Sequence, residues 1–283
     1  MKSILITGAN GYIASNVAEN LKNDYNLTLT TRQNLEVTNA EQVDNFFKDK
    51  YFDVVFHTAI KGGSRLSEDL PEYVHTNLSM HFNILRNEKH YGKYISFGSG
   101  AELDRAFQMN ESSNYLSSLP LDPYGISKNL IAKSGYFCDK FYNIRIFNIF
   151  NYNELKTRMI KGNILRYINN ENISVFDNRY MDFMFFDDFM QIIKHYIESE
   201  NPQKDCNCSY QQKYTLYDIA QIINNLDKHK VEIDLDNTEL KNSYIGKYDL
   251  HKMNISLKGL ISGIEECYKK IKLETNLWKK IYL

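Results

Sequence analysis

The chain has 283 residues, with 34 Lys or Arg against 35 Asp or Glu, a formal net charge of −1. That balance excludes the basic surplus with which polyanion binders neutralise phosphates, so no nucleic-acid partner is expected. A hydrophobic fraction of 43% with only 4 Pro and 13 Gly excludes long disorder and leaves few places for a flexible linker.

Ile4–Thr7 predicts a strand, and Tyr12–Leu21 a helix with Ile13, Val17 and Leu21 on one face. Leu27–Thr31 predicts a second strand. Asn39 is placed to cap a helix through Val43, Phe46 and Phe47, and Asp53–His57 predicts a third strand. A long helix over Tyr73–Tyr91, a strand at Tyr94–Phe97, a helix over Tyr124–Phe141 and a strand at Ile144–Phe147 continue the rhythm. Strands alternating with helices call for a parallel sheet covered on both faces, and right-handed crossovers make it a Rossmann-type doubly wound α/β fold.

After Phe150 the rhythm breaks. Glu154–Ile168 is expected as a helix, and Ile173–Phe176 and Asp182–Phe186 as strands. Asp187 or Asp188 is expected to cap a helix over Phe189–Ile197. Thr215 would cap another, with Ile219, Ile222, Ile223 and Leu226 on one face, and Leu257–Ile271 would be the last. The expected division is a Rossmann-type domain over 1–150, to which the helix at 187–199 returns, and a small mixed α/β lid over 151–283.

Met1-Lys2 runs directly into Ser3-Ile4-Leu5-Ile6, too short for a secretory core, and 18 consecutive apolar residues occur nowhere. The cysteines (Cys138, Cys206, Cys208 and Cys267) have no second Cys or His pair at metal-ligand spacing, so free thiols and no metal are expected. These readings place the protein in the cytoplasm, away from membranes.

Three features carry chemistry. Gly8-Ala9-Asn10-Gly11-Tyr12-Ile13-Ala14 lies between the first strand and the first helix, where small residues let backbone amides approach a pyrophosphate at the helix N-terminus. The end of the second strand reads Thr30-Thr31-Arg32-Gln33, with no acid before Glu36. A carboxylate there would hold a ribose 2′-hydroxyl, whereas Arg32 suits a 2′-phosphate, so NADP is expected over NAD. Tyr124 and Lys128 are four residues apart and project from one helical face, with Ser99 ending the strand before them. A phenol titrates near pH 10, and a neighbouring ammonium lowers that value, which makes Tyr124 a candidate acid–base group for carbonyl/alcohol interconversion.

Gly8-x-x-Gly11-x-x-Ala14, His57-Thr58-Ala59, Asn77, Ser99 and Tyr124-x-x-x-Lys128 together resemble an extended short-chain dehydrogenase/reductase of the NAD-dependent epimerase/dehydratase family. So do Arg145-Ile146-Phe147-Asn148, Asp182–Asp188, Thr215–Ala220 and Ile255–Leu260, so the resemblance covers nearly the whole chain in order. Thr31–Leu35, Gly98-Ser99 and Lys61-Gly62-Gly63 resemble most the GDP-fucose synthase type of nucleotide-sugar 4-ketoreductase.

The resemblance implies Ser99, Tyr124 and Lys128 as catalytic residues, and Gly8, Asn10, Gly11, Tyr12 and Ile13 around the pyrophosphate. It further implies Arg32 at the 2′-phosphate, Glu36 and Val37 beside the adenine, Thr58, Ala59 and Lys61 along the cofactor, and Lys128 on the nicotinamide ribose. Ser99, Gly100, Asn148 and Arg179 would face a nucleotide-sugar substrate. A homodimer would pair the helices at Tyr73–Tyr91 and Tyr124–Phe141.

The departures narrow the chemistry. The GDP-fucose synthase type also epimerises C3 and C5, using a Cys two residues after the catalytic Ser and a His after the Arg-Asn strand, where this chain has Ala101 and, approximately, Asn153. Dehydratases place an acidic pair directly after the hydroxyl, where Gly100-Ala101 stands. The expected activity is NADPH-dependent reduction of a 4-keto-6-deoxy sugar nucleotide without C3/C5 epimerisation. An NAD-dependent 4-epimerase is the alternative, and a nucleotide sensor without turnover a further one.

Overall fold

The computed structural model describes residues 1–63, 67–103 and 119–282. These divide into two compact units. One comprises residues 1–63, 67–103, 119–146 and 196–207, the other 147–195 and 208–282.

The first unit is built on a six-stranded sheet. Its strands are β1 (Ser3–Thr7), β2 (Asn26–Thr30), β3 (Phe52–His57), β4 (Tyr91–Ser99), β5 (Phe141–Ile146) and β9 (Asp205–Cys208), in the order β2-β1-β3-β4-β5-β9. The pairings from β2 through β5 are parallel, with Ile4 opposite both Leu27 and Val54. Ile4, Leu5 and Ile6 are wholly buried, as a parallel strand covered on both faces requires.

Helices α1 (Tyr12–Leu21), α2 (Ala40–Phe47), α3 (Glu72–Leu85) and α4 (Pro123–Ser134) form the crossovers. Asn39 caps α2 by accepting from the Gln42 N–H, and Asp122 caps α4 by accepting from the Gly125 N–H. Much of the aromatic content packs here. Phe47, Phe52, Tyr91, Tyr94 and Phe141 join Leu5, Val55, Met80 and Ile84 in one core cluster.

The chain leaves β1 toward β2 and then recrosses to β3 on the other side of β1. That reversal puts the topological switch point at the carboxyl ends of β1 and β3, the place where doubly wound sheets bind ligands.

Two helices are shorter than their apolar patterns predict. α3 stops at Leu85, and a 3₁₀ turn at Glu88–His90 leads into β4, which takes Tyr91 as its first residue. α4 stops at Ser134, and a 3₁₀ turn at Gly135–Phe137 precedes β5, which begins at Phe141. In both cases a buried aromatic that extends the helical period belongs to the next strand.

The second unit contains β6 (Ile149–Phe150) paired with β8 (Met184–Phe185), and β7 (Ile173–Val175) paired with β10 (Ile233–Leu235). Its helices are α5 (Met159–Ile168), α7 (Leu216–Asn224) and α8 (Leu260–Tyr282), and α6 (Phe186–Glu198) has its residues up to His195 in this unit. Thr215 and Asp218 form a reciprocal capping box on α7, satisfying two N–H groups at once. Asp187 and Asp188 lie inside the first turn of α6 rather than capping it. Asp188 instead accepts from Tyr210 Oη and from the backbone N–H groups of Lys258 and Gly259.

Candidate active site

The candidate dinucleotide loop is formed as its small residues demand. Gly8 has φ of +68°, and a Cβ there would lie 2.8 Å from both Cα and N of Ala59. Only glycine therefore lets the loop after β1 close against the segment after β3. The Gly11 N–H donates to Gly8 O at 3.0 Å, turning the chain into α1. Among the described residues no side chain caps α1, and no acidic side chain stands in its first turn. Asn10, Gly11 and Tyr12 lie exposed above this helix end and Ile13 is half-buried. A pyrophosphate fits such an end, where backbone N–H groups and the helix dipole both favour negative charge.

The rim is tied together by hydroxyls. Thr58 Oγ1 donates to Thr7 O at 2.5 Å, and Thr7 Oγ1 bonds His57 Nδ1 at 2.8 Å. This joins the ends of β1 and β3 beside Ala59. His57 is buried, and burial holds its pKa well below the usual imidazole value, so it stays neutral. Arg32 extends into solvent with 69% of its side chain exposed, 3.5 Å from Glu36. Val37 is buried, and its carbonyl accepts from Asn83 Nδ2 at 2.9 Å.

The candidate catalytic residues come together at the end of β4. Lys128 lies buried on α4 and donates from Nζ to the carbonyl of Phe97, two residues before Ser99, at 2.5 Å. The ammonium stands 5.9 Å from the centroid of the Tyr124 ring. Burial lowers the Lys128 pKa to about 8, with the carboxylate of Glu102 opposing the shift. Ser99 is 7% exposed, and its Oγ accepts from the Ala101 N–H at 3.1 Å, which leaves the O–H proton to be donated elsewhere.

The loop after β3 completes the surroundings of Tyr124. A Cβ on Gly63, at φ of +74°, would lie 2.7 Å from the Tyr124 ring, so bare backbone passes directly against it. Buried Asn77 holds Lys61 at both ends, accepting from its N–H and donating to its carbonyl, and also donates to Ser127 Oγ on α4.

Gly100 is buried beside Ser99. The two remaining candidates belong to the second unit. Asn148 donates to Asp182 O at 2.9 Å and accepts from Met184 N–H, securing β6 to β8. Arg179 forms a two-pronged pair with Asp177, at 2.7 and 2.5 Å.

One buried acid beside the site is absent from the sequence reading. Glu102, three residues after Ser99, is fully buried and bonded to the Ser99 N–H. The available signal was Arg145, a charged residue inside an apolar strand, which requires a carboxylate partner. The cysteines are free and buried. Among the described residues no helix is long and apolar enough to cross a membrane.

A dinucleotide-type loop and a Ser–Tyr–Lys group on a doubly wound sheet define the class, an NAD(P)-dependent oxidoreductase scaffold. The chain belongs to the NAD dependent epimerase/dehydratase family, which matches residues 4–209. No curated protein matches it.

Solved structures repeat the fold over nearly their whole length. A GDP-mannoheptose C4 reductase from Campylobacter jejuni with NADP bound is similar with a TM-score of 0.80 at 17% identity, covering 96% of this chain and 98% of that one. A GDP-L-fucose synthetase from Naegleria fowleri bound to NADP gives 0.78 at 15% identity, covering 98% and 94%. A UDP-glucose 4-epimerase from Thermotoga maritima with UDP-glucose gives 0.76 at 18% identity, covering 97% and 99%.

Proposed function

We propose that this enzyme reduces the 4-keto group of a nucleotide-linked 4-keto-6-deoxy sugar with NADPH, leaving C3 and C5 unepimerised. The observation that carries the reading is the clustering of Ser99, Tyr124 and buried Lys128 at the end of β4 with Ala101, a methyl group, where an epimerising thiol would stand. Gly8, Asn10, Gly11, Tyr12 and Ile13 would hold the pyrophosphate, Arg32 the 2′-phosphate, and Glu36 and Val37 the adenine edge. Thr58, Ala59 and Lys61 would line the cofactor. Ser99, Gly100, Asn148 and Arg179 are proposed as substrate contacts.

When bound, the nicotinamide supplies hydride to the sugar carbonyl carbon. Tyr124 Oη delivers the proton to the oxygen as negative charge develops on it. Ser99 donates a hydrogen bond to the same oxygen and steadies that charge. Lys128 would favour the tyrosinate left behind and would hold the nicotinamide ribose. The heptose C4 reductase and the fucose synthetase, both solved with NADP, support this reading by likeness.

One observation favours a second reading, an NAD-dependent 4-epimerase. Glu36 stands 3.5 Å from Arg32, and a carboxylate close to the end of β2 suits a ribose hydroxyl. NADPH oxidation against a panel of 4-keto sugar nucleotides separates the two. Turnover with NADPH supports the reductase, whereas NAD retained through purification, with 4-epimer interconversion, replaces it. Cytoplasmic residence and a homodimer paired through α3 and α4 complete the proposal.

A further inference from the structure

Glu102 lies at the centre of a buried polar network around Ser99. Its Oε1 accepts from the Ser99 N–H at 2.7 Å, and its Oε2 accepts from Arg145 Nε at 2.8 Å and Asn143 Nδ2 at 3.0 Å. Its backbone carbonyl accepts from Asn129 Nδ2 at 2.8 Å, the residue after Lys128 on α4. Arg145 continues outward to Asn207 Oδ1 at 2.9 Å and Asp205 Oδ1 at 3.3 Å on β9. One side chain thus fastens the end of β4 to β5, and its backbone fastens the same turn to the helix of Tyr124 and Lys128.

A fully buried carboxylate–guanidinium pair is costly to desolvate, and apolar residues of similar volume often serve stability as well or better. Stability alone is therefore a weak reason for this pair. A carboxylate that bonds the main chain of the reacting serine fixes where its hydroxyl points, and tenths of an ångström matter to a group that must meet a developing oxyanion.

We propose that Glu102 is a positioning residue for the reduction, acting through Ser99 by clamping its backbone against Arg145 and α4; this rests on the reductase reading. Its charge also favours the protonated form of the neighbouring Lys128, whose burial opposes it.

The test is a double-mutant cycle of Glu102→Gln with Ser99→Ala, measuring kcat, KM and NADPH affinity by cofactor fluorescence. Glu102→Gln is expected to lower kcat at least tenfold while sugar KM and NADPH affinity change less than threefold. In the Ser99→Ala background the same change is expected to cost less than threefold, because the group it positions is gone. Glu102→Asp keeps a charge opposite Arg145 but shortens the reach to Ser99, and it carries the same cycle if the glutamine variant does not fold.

A full, multiplicative loss in the Ser99→Ala background overturns the proposal, since Glu102 would then act on the fold at large. Loss of NADPH affinity in step with kcat overturns it as well. A Ser99→Ala enzyme with unchanged kcat refutes the reductase site itself, a result distinct from either.

Discussion

Replacing Lys128 by Met removes the charge that the proposed chemistry needs, and it also removes a stability cost. The Lys128 ammonium is buried, and burial brings its pKa from the ordinary 10.5 down to about 8. That interval corresponds to about 3 kcal/mol of folded-state cost, at 1.36 kcal/mol per tenfold in proton affinity. The sign follows from proton counting. Below pH 8 both folded and unfolded chains hold the proton, and the folded state bears the whole cost. Between pH 8 and 10.5 only the unfolded chain holds it, so the stability of the parent protein rises with pH across that window. Methionine has no such dependence. Relative to the parent, Lys128→Met should therefore lose about 3 kcal/mol of stability between pH 7 and pH 10.5, read from paired urea unfolding curves. The lost hydrogen bond to the Phe97 carbonyl offsets the variant at every pH alike and cancels from the slope. Turnover by the variant should be abolished, and kcat/KM of the parent should fall on the alkaline side of pH 8 as Lys128 deprotonates. A stability difference that stays flat across the window would refute the reasoning, because Lys128 would then carry no desolvation cost.

Tyr124→Phe should abolish turnover while NADPH affinity stays within about threefold, checked by cofactor fluorescence, since only the proton-delivering hydroxyl is lost. Near-normal kcat would remove Tyr124 from its role. Arg32→Ala should weaken NADPH by about 1.5–3 kcal/mol and leave NADH nearly unchanged, because a hydrogen bond to a charged phosphate is lost in one case only. Equal losses would dissolve the 2′-phosphate assignment and favour the 4-epimerase. Light scattering at micromolar concentration should give a dimer mass, and a monomer mass would reject pairing through α3 and α4.

The sheet was legible because parallel strands leave nearly continuous apolar runs. Ile4-Leu5-Ile6 and Val54-Val55-Phe56 declare themselves before any contact is known. The tight turn after β1 was legible for a related reason, since Gly8 must yield space to the Ala59 backbone and no other residue can. What escaped were elements held by distant polar partners. β9 reads Asp-Cys-Asn-Cys, a poor strand by propensity, yet it borders β5 and supplies Asn207 to Arg145. Glu102 escaped likewise, because its partners Asn143 and Arg145 lie about forty residues away and local spacing cannot reveal them. Helix ends were misread where a 3₁₀ turn carried the period on, as at Glu88–His90 before β4.

Reduction in heavy water decides whether the sugar ring keeps its configuration. Inverting C3 or C5 needs a base to remove the proton α to the ketone and an acid to return one to the other face. Ala101 offers a buried methyl group at one expected position, and the Asn153 side chain is a neutral amide at the other. Neither can exchange a proton near neutral pH. His57 and His81 do not fill the gap. His57 is bonded to Thr7 and buried, and His81 is held between Tyr94 Oη and Ser134 Oγ, its pKa driven down to about 3 by burial. Glu154, next to Asn153, is the one acid in that stretch poised near neutrality, with burial raising its pKa to about 7. Its carboxylate, however, accepts from the Lys161 N–H near the start of α5 and faces Arg158 at 3.8 Å, which engages it in holding the helix. The product formed in heavy water should therefore carry no deuterium on C3 or C5. Deuterium at either carbon, lost again in Glu154→Gln, would identify that carboxyl as an epimerising base and overturn the reading of a simple reductase.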